Sequence, residues 1–126
     1  MTTRPQIRSA AVIGALFSGV SVWAGTRVLT GLDVPGYVVL PWLVLYNVAA
    51  GLVGVAVGAG LWLVRRWALL ASSVLAAAHL SVFIALIALR ASGGEVANDS
   101  LVAMTLRWVV WAVIALLARR AAGPRR

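Results

Sequence analysis

Cysteine is absent from this chain, and so is lysine. Without thiols there are no disulfides, no thiolate nucleophile and no thiolate metal site. Acidic residues are confined to Asp33, Glu95 and Asp99, and His79 is the single histidine. One imidazole cannot build a multi-histidine metal centre or a bis-histidine haem within one chain, so no metal site is expected. A Ser–His–acid triad would need that histidine beside an acid, yet His79 falls mid-segment and the acids fall at segment ends. The glycines occur in GxxxG form and no GK[ST] follows them, which removes a phosphate loop. The apolar runs hold no carboxylate, so the usual proton-coupling residue of small multidrug antiporters is missing as well.

What is present is overwhelmingly apolar. The 126 residues are 63% hydrophobic and only 11% charged, with a mean hydropathy of +1.01. A soluble domain carries roughly a quarter charged residues, so the surplus apolar surface needs lipid as its solvent. Four long apolar segments run from about Arg8 to Thr26, Val38 to Val64, Trp67 to Leu89 and Asp99 to Ala118. Crossing a hydrocarbon core of about 30 Å takes about 20 helical residues, a length each segment meets or approaches. Open strands would leave backbone groups unpaired in lipid, and the segments lack two-residue alternation, so helices are expected. The expected fold class is therefore all-α, a polytopic membrane protein whose single domain, residues 1–126, is a four-transmembrane-helix bundle.

Thr30-Gly31-Leu32-Asp33-Val34-Pro35-Gly36 reads as the first link, with Pro41 in the first turn of the second helix. The Arg65-Arg66 pair reads as a two-residue charged turn joining an antiparallel pair, and Ser92-Gly93-Gly94 as a short turn before the last helix. Asn98 or Asp99 is placed to cap that helix.

Charge sets the expected orientation. Arg4, Arg8, Arg65, Arg66, Arg119, Arg120, Arg125 and Arg126 flank one set of segment ends, while Arg27 and Arg90 share the other set with all the acids. The positive-inside rule then places both the N and C termini and the Arg65-Arg66 turn in the cytoplasm, with the other two links outside. The cytoplasmic (inner) membrane of a bacterium is the expected location. A net charge of +8 and a pI near 11.9 would suggest nucleic acid in a soluble protein, but basic residues at segment ends serve topology and anionic lipid instead. Membrane lipids, not nucleic acid, are the expected partners. Arg4, Arg8, the run from Ala10 and Val22-Trp23-Ala24 imitate a signal peptide, yet apolar sequence continues past Ala24, so an uncleaved first helix is expected.

Small residues recur at helical spacing. Gly14, Ser18, Ser21 and Gly25 stripe the first segment, and Asn47, Gly51, Gly54 and Gly58 stripe the second. Such stripes let backbones approach where lipid provides no hydrophobic drive between helices. They serve either the interior of the bundle or a homodimer, the interior being the expected use in a chain this short.

Arg107 is the costliest residue. It stands twelve positions before Arg119, about 18 Å from the arginine-rich surface. A central arginine costs roughly 2.5–3.5 kcal/mol to insert, so it should face the bundle or a wet cavity, unless it snorkels toward Asp99. His79 lies at nearly the same depth and can share that cavity, either as a hydrogen-bonding imidazole or as a ligand contact. Trp23, Trp42, Trp62 and Trp67 fit interfacial belts, whereas Trp108 and Trp111 are too deep. Trp111 falls one turn from Arg107 on the same face, where it either fills space or offers a flat wall to a ring. Tyr46 and Asn47 lie near the outer end of the second helix, where Asn47 heads the glycine seam and either bonds a neighbouring helix or contacts a ligand, and Asp33 and Asp99 are charge partners for Arg27, Arg90 or Arg107 at the outer mouth.

Asn47-Val-Ala-Ala-Gly51, Gly58-Ala-Gly60-Leu61 and Arg65-Arg66-Trp67-Ala68 together resemble the DoxX-like group of small four-helix membrane proteins. The resemblance covers about a third of the chain and implies a quinone or redox partner. Members often carry a carboxylate where this chain has Asn47, so no acid role transfers there.

The expected function is a small integral membrane subunit or accessory protein that binds a quinone-like or small anionic ligand in an outer-half polar pocket. Arg107 and His79 would contact ligand oxygens, Trp111 would stack, and Asn47 and Tyr46 would add hydrogen bonds. A quinone is the one cofactor in view, and no electron-carrying site accompanies it, so activity as an enzyme is not expected. Two other readings stay open: a dimeric transporter or channel for an anionic solute, and a purely structural subunit of a larger membrane redox complex.

Overall fold

The computed structural model describes residues 4–123, so the Pro124-Arg125-Arg126 end of the basic tail lies outside the described residues. Four helices follow one another: α1 (Arg4–Leu29), α2 (Pro41–Trp62), α3 (Arg66–Ala91) and α4 (Asn98–Ala121). All are long and apolar enough to cross a membrane. Their outward faces carry large apolar side chains such as Leu16, Val20, Leu52, Leu70 and Ile84, an exterior suited to lipid rather than water.

Helix ends differ from the sequence expectation at several points, each for a local reason. α2 begins at Pro41, because proline lacks an N–H and suits the first helical position; Leu40, in extended backbone, precedes it. α2 ends at Trp62, and Leu63, Val64 and Arg65 form the turn while Arg66 already belongs to α3. The turn is closed by Arg65 N–H donating to the Gly60 carbonyl (2.8 Å) and Val64 N–H donating to the Leu61 carbonyl (2.9 Å). That geometry demands a left-handed residue, normally glycine, and here Val64 takes it at φ 53°. The same closure after α3 uses Gly93 at φ 91°, with Gly94 N–H on the Leu89 carbonyl. α4 is not capped by Asn98 or Asp99. Its N-cap is Ala97, without a side-chain cap bond, because Asn98 Oδ1 accepts instead from Arg90 Nη1 at 2.6 Å.

The helices alternate in direction, and α1–α2 and α3–α4 form the two closest pairs. In the α1–α2 seam, Gly14, Ser18, Ser21 and Gly25 are buried against a second buried stripe, Gly51, Gly54 and Gly58. The seam lies inside the bundle. A Cβ at Gly51 would stand 2.9 Å from the Ser18 carbonyl oxygen and 2.7 Å from Val22 Cγ2, so no larger residue fits without moving backbone. Trp111 of α4 drives its ring into the same seam: a Cβ at Gly14 or Gly54 would come within 3.2 or 3.1 Å of it.

Two apolar clusters make the core. The larger gathers Ile7, Ala11, Val57, Leu61, Ala68 and Trp111 with their neighbours toward the arginine-rich end. The smaller holds Leu43, Leu86 and Met104 toward the acidic end. Chain direction puts Arg4, Arg8, Arg65, Arg66, Arg119 and Arg120 together at one end and Asp33, Glu95 and Asp99 at the other. Arg8 covers the Trp62 ring at 5.3 Å, tying the start of α1 to the finish of α2.

Candidate functional site

Between the two apolar clusters lies a polar layer to which every helix contributes. Ser18 and Ser21 come from α1, Tyr46 and Asn47 from α2, His79 from α3 and Arg107 from α4. Alternating helix direction is what levels positions 21, 47, 79 and 107, so residues far apart in sequence share one depth.

His79 is buried, at 3% exposure. Its Nδ1 shares a 3.0 Å hydrogen bond with the Tyr46 hydroxyl, and the two rings meet edge to face at 5.7 Å. The bond joins α2 to α3 and fixes the imidazole, whose ring borders the central chamber. Arg107 does not run out to Asp99. Its Nη2 donates to Ser21 Oγ over a long 3.5 Å, and Ser21 in turn donates to the Phe17 carbonyl at 3.1 Å. A contact that long adds little, and Arg107 Nε is buried with no partner. Asn47 Oδ1 and Trp108 Nε1 are orphaned in the same way. Among the described residues the one ion pair is Arg27 with Asp33, so the Arg107 charge has no carboxylate to neutralise it.

Three spaces that share lining residues step from the acidic end down to this layer. An open bowl of about 500 Å³ lies between the two links and is lined by Tyr37, Arg90, Glu95, Asn98 and Asp99. Tyr37 and Asp99 also line the next space, a vestibule of about 100 Å³ that reaches Ser100, Asn47 and Arg107. Asn47 and Arg107 then roof a chamber of about 10 Å³ whose other walls include Ser18, Ser21, His79 and Trp111. At roughly 10–15 Å³ needed for one water molecule, the chamber has room for about one and the vestibule for several. Below it Trp111, 1% exposed, begins the dry apolar cluster. Trp111 and that cluster form the floor of the funnel.

These dimensions bear on the ligand. Pockets for drug-sized molecules run to about 300–1,000 Å³. The vestibule is smaller than that range, and Trp111 presents an edge wedged over glycines rather than a free face. A ligand of a few heavy atoms fits. Two wider apolar grooves, of about 530 and 620 Å³, open on the bundle's exterior between α1 and α4 and between α2 and α3, where lipid chains would lie.

Arg107, His79, Trp111 and Asn47 border one chamber, and Tyr46 reaches it through His79. Asp99 stands at the mouth, whereas Asp33 is held away from it by Arg27, through bonds of 2.7 and 2.9 Å. The Arg27 bond and charge hold the Asp33 carboxyl below the usual carboxylate range. Ser18 and Ser21, chosen from sequence for packing alone, also supply the chamber's hydroxyls. Tyr37 and Ser100 escaped sequence reasoning altogether, since a link residue and a helix-start serine carry no local signal of a shared wall. No metal-ligand cluster of histidine and acidic side chains occurs among the described residues. No protein-family model, curated protein or solved structure matches the chain.

Proposed function

We propose that the protein is a ligand-binding integral membrane subunit that captures a small carboxylate-bearing or similar oxyanionic molecule from the outer side. One observation carries this reading: the partly buried Arg107 guanidinium, with an orphaned Nε and no carboxylate partner, at the foot of a funnel. An uncompensated charge at that depth is expensive, and an incoming oxyanion would repay it with charge-assisted hydrogen bonds. Asn47 and Ser100 add polar groups to the wall, and Tyr46 holds His79 in place beneath.

The same reading assigns direction. With the arginine-rich end in the cytoplasm of a bacterial inner membrane, the bowl opens outward. The funnel's apolar floor favours binding over conduction, since a channel would need a path through the apolar cluster around Val57, Leu61 and Ala68. The DoxX-like resemblance makes a membrane redox complex the candidate assembly partner, which co-purification from native membranes tests.

Titration of acetate against the full chain in lipid nanodiscs, read by the shift in thermal midpoint, tests the binding reading. Wild type should be stabilised and the Arg107→Gln variant should not respond. An undiminished response in Arg107→Gln would refute it. If the protein is purely a scaffold, neither responds, and the two differ only in assembly.

A further inference from the structure

The walls of the funnel carry both signs. Bowl and vestibule together present two guanidinium groups, Arg90 and Arg107, and two carboxylates, Glu95 and Asp99. Their formal charges cancel, but they are not mixed. Arg107 stands at the foot of the vestibule and Asp99 at its mouth, eight residues earlier on α4 and about 12 Å away along the helix axis. They make no ion pair with each other, although both line the same space. Arg90 donates to Asn98 and forms no ion pair with Asp99.

A simple anion suits the foot of this funnel and not its mouth. To reach Arg107 it must pass Asp99, and like charges set close together repel. A cation suits the mouth and is refused at the foot. A molecule with a negative end and a positive end, neutral overall, meets both in order. From this arrangement we infer that the ligand is a small zwitterion of the amino-carboxylate class, its carboxylate on Arg107 and its ammonium turned up the vestibule toward the Asp99 charge. The inference rests on the binding reading above and specifies its substrate class.

The remaining walls fit that class. Asn47 Oδ1, buried and unpartnered, is an acceptor beside Arg107, able to take an ammonium or amide proton that an acetate could not offer. Leu40, Leu43, Val44 and Ala103 supply apolar sides suited to a hydrogen or a methyl group on the ligand's central carbon. The volume of about 100 Å³ suits glycine or alanine and leaves little room for a longer side chain.

The test compares glycine with its two halves, acetate and methylamine, on the full chain in nanodiscs by saturation-transfer NMR and calorimetry. Wild type should bind glycine at least tenfold more tightly than acetate or methylamine. Asp99→Asn should weaken glycine at least tenfold while leaving acetate unchanged or tighter. Arg107→Gln should weaken both, and Asp33→Asn, whose carboxylate is paired with Arg27 away from the funnel, should leave the preference intact. Acetate binding as tightly as glycine, or glycine binding indifferent to Asp99→Asn, overturns the zwitterion and leaves the oxyanion site standing if Arg107→Gln still abolishes acetate. Absence of binding by all three probes, or binding unaffected by Arg107→Gln, takes down the site itself.

Discussion

The half of the bundle near the arginine-rich end and the half near the acidic end use the same four helices for opposite purposes. In the first, glycine and alanine draw α1 and α2 together until backbone meets side chain, and Trp111 fills what space remains. α2 and α3 are joined there by only Leu63, Val64 and Arg65, which leaves no slack. In the second, α1 and α2 are joined by residues 30–40, a longer link of turns and irregular backbone, and side chains there line a space instead of closing it. Polar groups then replace small ones at the seam: Ser21, Asn47, His79 and Arg107. The lesson is that one half is optimised for contact, while the other keeps a charge and two polar atoms unsatisfied. Native structures rarely tolerate such groups without a functional reason.

If that contrast holds, substitutions in the packed interior of the two halves should differ in sign as well as size. Trp111→Ala should be the most damaging, since it empties the centre of the dry seam and large aromatic truncations cost about 3–5 kcal/mol. Reversible unfolding in mixed micelles would register it; a loss under 1 kcal/mol would mean the seam is not tightly packed. Gly51→Val should follow at about 3 kcal/mol, the upper part of the overpacking range, because the added Cβ meets the Ser18 carbonyl. Disulfide crosslinking between cysteines introduced on α1 and α2 would show whether the helices have parted.

Arg107→Met should act the other way and raise stability by about 2 kcal/mol, because a deep charge without a counterion is removed. A destabilised Arg107→Met variant in the same assay would mean the guanidinium holds the fold together, and the contrast between the halves would fail. Val64→Gly should raise stability by about 0.5–1 kcal/mol, since glycine adopts the left-handed turn without the steric penalty a β-branched residue incurs there. An unchanged or lower midpoint would show that the turn is not strained.

The smallest effect concerns Asp33 at the acidic end. Its folded-state carboxyl ionises below the ordinary value, so its bond to Arg27 stabilises the protein above the unfolded carboxyl's pKa. That contribution is lost as pH falls through the lower folded-state pKa. The midpoint difference between wild type and Asp33→Asn should be constant near neutrality and should shrink as pH drops below about 4. A difference that persists in acid would assign the effect to the side chain's shape instead of its charge.

How much was legible beforehand depended on how local the cause was. The glycine and serine stripes were readable because helical spacing alone sets which residues share a face. The depth of Arg107 and His79 was readable because rise per residue and the charged flanks calibrate distance from one surface. The cap of α4 was misread. Asn98 has a competing partner in Arg90, and that competition exists only after α3 and α4 fold back on each other. The Tyr46–His79 bond and the Ser21–Arg107 contact each join different helices, so their spacing in sequence carries no information about them.

The sequence by itself determined that there are four membrane-length helices and which ends carry the arginines. Those properties follow from hydropathy, backbone hydrogen bonding and proline or glycine geometry, all of which act over a turn or two of chain. Only the tertiary structure decided that the polar residues converge on a funnel rather than facing four separate directions. It also set the funnel's size. Both depend on how helices rotate about their axes and how closely they approach, and that is settled by packing between distant residues such as Gly51 and Ser18, or Trp111 and Gly14.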